Sequence, residues 1–472
     1  MSTLVDAAPA AAPAPPAAED GLFSARHLSV TIGFVSSVLL TAFEAMAVSS
    51  AMPVAVAALH GLAFYSLAFS AYLTTSLFGM VLAGQRADRH GPRLPCLGGI
   101  AVFGVGLVTA GTATSMAQLV AGRAIQGFGG GLVIVALYVL VGRAYPGHLR
   151  GKAFSVMAAC WVLPAAVGPV IAGVLTEDLS WRWIFLGIAV LIVAPLVLLA
   201  KPLRDLPRPE PEPLAADEAA RRRRTRTAAG LTALGVGLLQ LGSQELNLLG
   251  LVLVPLALVL MVPSVPKLLP PGTLRAVRGL PTVILMRGLM AGSYFGVEAF
   301  LPLMLEQHRG MSVMLAGLSL ATAAISWAVS SWAINRPFVT ARISRPGLVR
   351  LGIAVCGLSL FGDVLAVSAD TPQWTAAAAM FFAALGAGMA FPTVSVLTLE
   401  LSEPELQGAG SASLQVADGL TSTTTIALGG GLYHALDPSG SGARGGVFVL
   451  LYLGFIAVAA LAFLLAPRVR RS

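Results

Sequence analysis

The chain has 472 residues, 56% of them hydrophobic and only 11% charged, where soluble chains run near a quarter charged. Such a chain has too little polar surface to cover itself in water, which excludes an ordinary soluble enzyme. The formal charge of +8, from 30 basic against 22 acidic residues, raises nucleic acid as a partner, so the placement of the basic residues has to decide.

In chain order, residues 1–20 are Ala/Pro-rich with no basic segment ahead of an apolar core. They read as a disordered cytoplasmic tail reaching residue 28, with no signal peptide to remove. Apolar runs follow at about 29–51, 62–84, 95–113, 116–141, 152–175 and 183–200, each suited to a hydrocarbon core of ~30 Å. The Pro/Glu-rich stretch within 201–226 reads as a flexible cytoplasmic linker. The cluster Arg221, Arg222, Arg223, Arg224 and Arg226 ends it, abutting the next apolar run. That position reads as a juxtamembrane anchor for anionic lipid headgroups, and no nucleic-acid partner is expected.

Two further runs, 227–243 and 247–263, are the weakest: the first is short and the second carries a central proline. A cytoplasmic loop at 264–280 leads to six more runs at 281–304, 314–335, 349–367, 375–398, 409–432 and 447–466, then a tail at 467–472. The expectation is an all-α integral membrane protein with six-helix bundles at 29–200 and 281–466 and two additional central helices. With the N-terminus inside, 25 basic residues fall on the cytoplasmic side and three outside, namely Arg182, Arg309 and Arg444. Arg123 and Arg287 lie within spans. Both termini are therefore expected in the cytoplasm of a cell bounded by this membrane. Cys96, Cys160 and Cys356 form an odd set on or beside separate apolar runs, which gives no disulfide framework and no metal spacing.

Between the second and third runs stands Gly84-Gln-Arg-Ala-Asp88-Arg89-His90-Gly91-Pro92-Arg93. Gly84 lets two helices approach, Gly91 permits a tight turn, and Asp88 can pair with arginine while facing the N-terminus of another helix. This loop resembles the signature of the major facilitator superfamily. Leu119-Val-Ala-Gly-Arg123-Ala-Ile-Gln126-Gly127-Phe-Gly129-Gly130-Gly131 is similar to the fourth-span signature of the same superfamily. Trp161-Val-Leu-Pro164-Ala-Ala-Val-Gly168-Pro169-Val-Ile-Ala-Gly173 resembles its antiporter signature in part, with Pro164 and Val174 replacing glycines. Pro302 to Ser312 with Ala316-Gly317 resembles the loop after the ninth span of fourteen-helix drug/proton antiporters, and Gly386, Gly388, Pro392, Gly408 and Gly410 resemble their later helices. The resemblance implies that Gly84, Asp88, Arg89, Gly91 and Arg93 form a conformational latch. It also implies that Gln126, Gly127, Gly131, Gly168, Pro169 and Gly173 shape helix packing, and that the direction of transport is outward.

An arginine at the depth of Arg123 costs ~2.5–3.5 kcal/mol to insert, so it must find an acidic partner or a wet cavity. Four acidic residues lie inside spans, Glu44, Glu298, Asp363 and Asp418, and no histidine does. If protons drive the protein, carboxylates must carry them. Glu44 and Glu298, at equivalent places of the two repeats, are the leading proton or substrate sites, with Arg123 and Asp418 beside them. Asp363 stands near the outer end of its helix, where it can meet water. Arg287 is placed to snorkel and is three turns from Glu298, too far to touch it. No nucleotide-binding loop or serine-nucleophile elbow is present, so no enzyme and no cofactor is expected, with a proton gradient as the energy source. The expected partners are a small amphipathic substrate, protons and membrane lipids, with the chain a monomer. The alternatives are transport of a lipid or lysolipid in a cavity lined by Met286, Met290, Tyr294 and Phe295, and a membrane sensor without turnover.

Overall fold

The computed structural model describes residues 21–60, 65–207, 216–243, 248–311, 313–436 and 445–469. Residues 1–20 of the N-terminal tail, 208–215 of the linker, the 244–247 connection and the end of the C-terminal tail lie outside them, as do Ser312 and Arg444. Among the described residues every regular element is helical. The first group is α1 (Leu28–Ala58), α2 (Tyr65–His90), α3 (Arg93–Gly111), α4 (Met116–Ala144), α5 (Gly147–Ala159), α6 (Val162–Val174), α7 (Arg182–Leu191) and α8 (Val193–Asp205). An inserted pair follows, α9 (Ala216–Ser243) and α10 (Leu248–Ser264). The last group is α11 (Leu280–Leu303), α12 (Val313–Ala333), α13 (Pro337–Thr340), α14 (Arg345–Ala366), α15 (Trp374–Leu401), α16 (Gln407–Leu436) and α17 (Gly445–Leu465).

The pairs α5–α6 and α7–α8 each continue one rod past a break. Pro164 lacks the N–H that would reach the carbonyl of Cys160, and Pro195 leaves Leu191 without its partner in the same way. Counting each pair as one rod and setting the single turn α13 aside gives fourteen rods, as the apolar runs suggest. Among the described residues ten stretches are long and apolar enough to cross a membrane by length and composition. The other rods, α5–α6, α9, α12 and α16, run packed beside them. Two of them explain themselves: α9 opens with its arginines, and α16 carries Gln415, Asp418 and Thr421 to Thr425.

One apolar core joins α1 to α8, built around Phe34, Phe103, Leu137 and Phe185, and a second joins α11 to α17 around Met286, Leu360, Phe448 and Tyr452. These are the two six-helix bundles. The linker is shorter than expected, because α8 runs to Asp205 and the arginine run belongs to α9, where Arg222 pairs with Glu218 one turn back at 2.8 Å. A good helix former at each of these positions extends the rod beyond the apolar stretch.

The inserted hairpin closes on itself through Gly235 against Met261 and through the hydroxyls of Thr232 and Ser264, 2.7 Å apart. It then lies along the seam where α2 meets α16, in a third apolar cluster that includes Leu77, Val81, Ala233, Val236, Val416 and Leu420. The C-terminal end of α2, the α4–α5 turn and the start of α16 share one end of the molecule, called here the latch face. The opposite end is the far face.

Candidate functional site

Each arginine inside the membrane-spanning part receives a carboxylate from a different helix. In the first bundle Arg123 of α4 forms an ion pair with Glu44 of α1. Gln126, one turn along α4, accepts from Arg123 at 3.2 Å and donates to Glu44 at 3.2 Å. The guanidinium also sits 4.5 Å from the centre of the Tyr72 ring on α2. Glu44 has no exposed surface, so this is a sealed cluster and not part of an open cavity wall. Gln126, expected to serve helix packing, belongs instead to this charge cluster: three residues is nearly one turn, which puts it on the same face as Arg123.

In the second bundle Arg287 of α11 donates through two nitrogens to one oxygen of Asp418 on α16, at 2.9 and 2.5 Å. It also donates to the carbonyl of Phe391 at 3.2 Å and lies 3.9 Å from the centre of that residue's ring. Arg287 therefore does not snorkel; it turns inward to a partner 131 residues away. No local spacing announces this pair. The available signal was one arginine among three carboxylates in the second repeat, and spacing does not say which of them it meets. The pairs also differ in depth. Arg123 is seven residues from the far-face end of α4 and Arg287 seven from the latch-face end of α11. At 1.5 Å per residue each lies about 10 Å from its own face, and the faces are opposite.

Glu298 takes a third position. It is half-buried, and no cation pairs with it among the described residues. It lines a cavity of about 720 Å³ together with Leu73 of α2, Gln240 and Ser243 of α9, Phe295 of α11, and Ser422 and Tyr433 of α16. Of the four residues expected to line an apolar cavity, only Phe295 does; Met286, Met290 and Tyr294 are at most 3% exposed in the second core. Asp363, expected near water, is wholly buried, and neither of its oxygens has a hydrogen-bond partner among the described residues.

At the latch face the carboxylate of Asp88 accepts from the backbone N–H groups of Gly408 at 2.6 Å and Ala409 at 2.9 Å. These are donors in the first turn of α16 that have no acceptor within their own helix, and the helix dipole there favours an anion. Close approach makes it possible: a Cβ on Gly84 would stand 2.6 Å from the carbonyl of Gly408. Gly91 turns the chain at φ +80°, in the left-handed region. Arg143 donates to the carbonyl of Ala87 at 3.3 Å beside it, a residue outside the expected loop signature. Arg89 and Arg93 flank the turn half-buried, and the two bonds to Asp88 come from backbone, not from either arginine. Further along the same face Asn335, in the turn after α12, donates to Ser155 of α5 at 2.8 Å, a second tie between the bundles.

The small residues divide. Gly127 and Gly131 face backbone carbonyls of Tyr72 and Ser76, where any side chain would collide, so α2 and α4 meet there backbone to backbone. A Cβ on Gly168 would stand 3.0 Å from the Cβ of Met46 on α1. Among the described residues nothing lies within 4 Å of a Cβ added to Gly173. The side chain of Pro169 lies outside the described set.

Against known proteins, the chain matches the Major Facilitator Superfamily over residues 34–423, and it belongs to that superfamily. It is a multi-pass membrane transporter and not an enzyme. The multidrug transporter protein MdtP of Bacillus subtilis (strain 168) is 26% identical over 434 residues, spanning 88% of this chain and 77% of that protein. The multidrug efflux pump SdrM of Staphylococcus aureus (strain N315) is 23% identical over 389 residues, 80% of this chain and 83% of that protein. Among solved structures the human organic anion transporter MFSD10 superposes with a TM-score of 0.68 at 14% identity, covering 93% of this chain and 99% of that one. That likeness concerns the fold.

Proposed function

We propose that the protein is a proton-coupled exporter of small amphipathic compounds, of the fourteen-helix drug/proton antiporter type, working by alternating access with both termini in the cytoplasm. The observation that carries this is Glu298, a carboxyl on the wall of the far-face cavity with no cation among the described residues, in a molecule whose latch face is tied shut by Asp88. Glu44 and Asp418 already hold an arginine each, which leaves Glu298 free to exchange its proton for a substrate. Rocking of the bundles would break the latch-face contacts and bring together the walls of the far-face cavity. Similarity to multidrug transporters and the 25 to 3 basic asymmetry support outward export from the cytoplasm.

The test is flux from proteoliposomes across a panel of amphipathic compounds, with and without an imposed pH gradient. Gradient-dependent flux that Glu298→Gln abolishes, at equal expression, is the expected result. Ligand binding with no flux would favour a sensor. A tag placed after residue 244 should be reached only from outside the cell.

A further inference from the structure

The inserted hairpin is positioned by contacts along α2 from Gln85 to Leu73. At the latch face Arg222 and Arg226 hold Gln85, the first through its guanidinium to the backbone carbonyl at 3.2 Å, the second to the side-chain oxygen at 3.0 Å. Near mid-membrane Gly237 comes close to Thr74, a Cβ there standing 2.8 Å from the threonine hydroxyl. One turn further, Gln240 and Ser243 arrive level with Leu73 at the cavity. α2 and α16 pack together from Gly84 and Gly408 to about Leu77 and Leu420, and the cavity occupies the seam beyond. α9 is thus one wall of that cavity, on the side where two bundles alone would leave a gap toward lipid.

Gln240 brings specific chemistry to this wall. Its side-chain oxygen is buried and has no hydrogen-bond donor among the described residues. Glu298, on the same cavity, has no cation among the described residues. An acceptor left unpaired away from water is costly, and a ligand that supplies the missing donor recovers that cost. Phe295, Phe300 and Tyr433 supply apolar and aromatic surface around the two acceptors.

We propose that the inserted helix α9 sets substrate specificity, and that Gln240 with Glu298 selects amphiphiles bearing a protonated amine over quaternary ammonium compounds of equal charge. This rests on the transport reading above and goes further by naming the head group. A protonated amine offers an N–H to the Gln240 oxygen while its charge faces Glu298. A quaternary ammonium satisfies the charge and leaves the amide oxygen unpaired.

The experiment compares a strongly basic tertiary amine amphiphile with its N-methylated counterpart, at a pH where both are cations, in gradient-driven proteoliposome flux. The purified protein should prefer the amine by about tenfold in kcat/KM, as one charged-donor hydrogen bond in a partly open site supplies. Gln240→Met, of similar shape without an acceptor, should bring the ratio near one. Gln240→Glu, which keeps an acceptor, should keep the preference. Leu251→Ala, on the outward side of α10 with 71% exposure, should leave the ratio alone. Equal kcat/KM for both compounds in the unmodified protein, or a ratio unmoved by Gln240→Met, overturns the proposal. Absence of gradient-driven flux for every compound overturns the transport reading instead, so the two failures are told apart.

Discussion

The two buried arginines answer one physical problem in different ways. Arg123 is closed in by Glu44, Gln126 and Tyr72, with the carboxylate fully buried. Arg287 is held by Asp418 and Phe391, with 17% of the aspartate side chain still exposed. The first cluster lies toward the far face and the second toward the latch face. One opening therefore cannot serve both, since alternating access wets one face at a time. The sealed cluster is built like a structural tie, and the second pair, with one side still accessible, is built to come apart.

The largest effect expected from this contrast is at Arg123. Arg123→Ala leaves Glu44 buried without a cation, and breaking such a pair costs about 3–5 kcal/mol. The purified variant should melt far below the parent, with little folded protein recovered. Combining Arg123→Met with Glu44→Gln should restore much of the melting temperature, because no unpaired charge remains. If the double variant also regains full gradient-driven flux, the cluster is structural alone; if stability returns without flux, it takes part in coupling.

Asp418→Asn should cost less, about 1–2 kcal/mol, because the remaining arginine keeps Phe391 and some access to water. Its expected signature is functional: flux that no longer follows the pH gradient in a protein that still folds. Equal loss of stability at both sites would erase the distinction between a sealed and an open pair.

Much of this arrangement was legible beforehand, for identifiable reasons. The apolar runs mark the rods because a bilayer demands about twenty apolar residues per crossing, and Arg123 demands a partner wherever it sits. The site is less legible. Arg287 and Asp418 meet across 131 residues, which only tertiary packing brings about. Glu44 and Glu298 occupy equivalent places in the two repeats, yet one is sealed and the other lines a cavity. Their difference comes from their neighbours: Arg123 sits opposite the first, while the second faces the inserted hairpin. That Gln240 belongs to the cavity could not be read from a short apolar run between the repeats, whose packing partners only the tertiary fold supplies.

A smaller effect is expected at the latch. Asp88→Asn keeps one acceptor for the N–H groups of Gly408 and Ala409 but removes the charge that the start of α16 favours, worth about 0.3–1 kcal/mol. The latch contact exists in one state of the cycle only, so the variant should insert and fold normally and transport a few times more slowly. Equal flux at equal expression would remove Asp88 from the mechanism.

The smallest effect is expected at Asp363, a third kind of buried carboxyl. It has neither the arginine that holds Glu44 and Asp418 nor the cavity surface of Glu298, and both its oxygens lack partners among the described residues. A group that touches neither a cation nor the pathway has nothing to exchange. Asn has nearly the same size and cannot ionise, so Asp363→Asn should leave packing undisturbed and should not lower the melting temperature. Gradient-driven flux should stay at the parental rate. A clear loss of flux in a variant of unchanged melting temperature would put Asp363 on the proton path. Coupling would then extend to the helix pair α14 and α15, beyond the reach of either arginine pair, and the contrast between a sealed tie and a working pair would no longer account for the transport cycle.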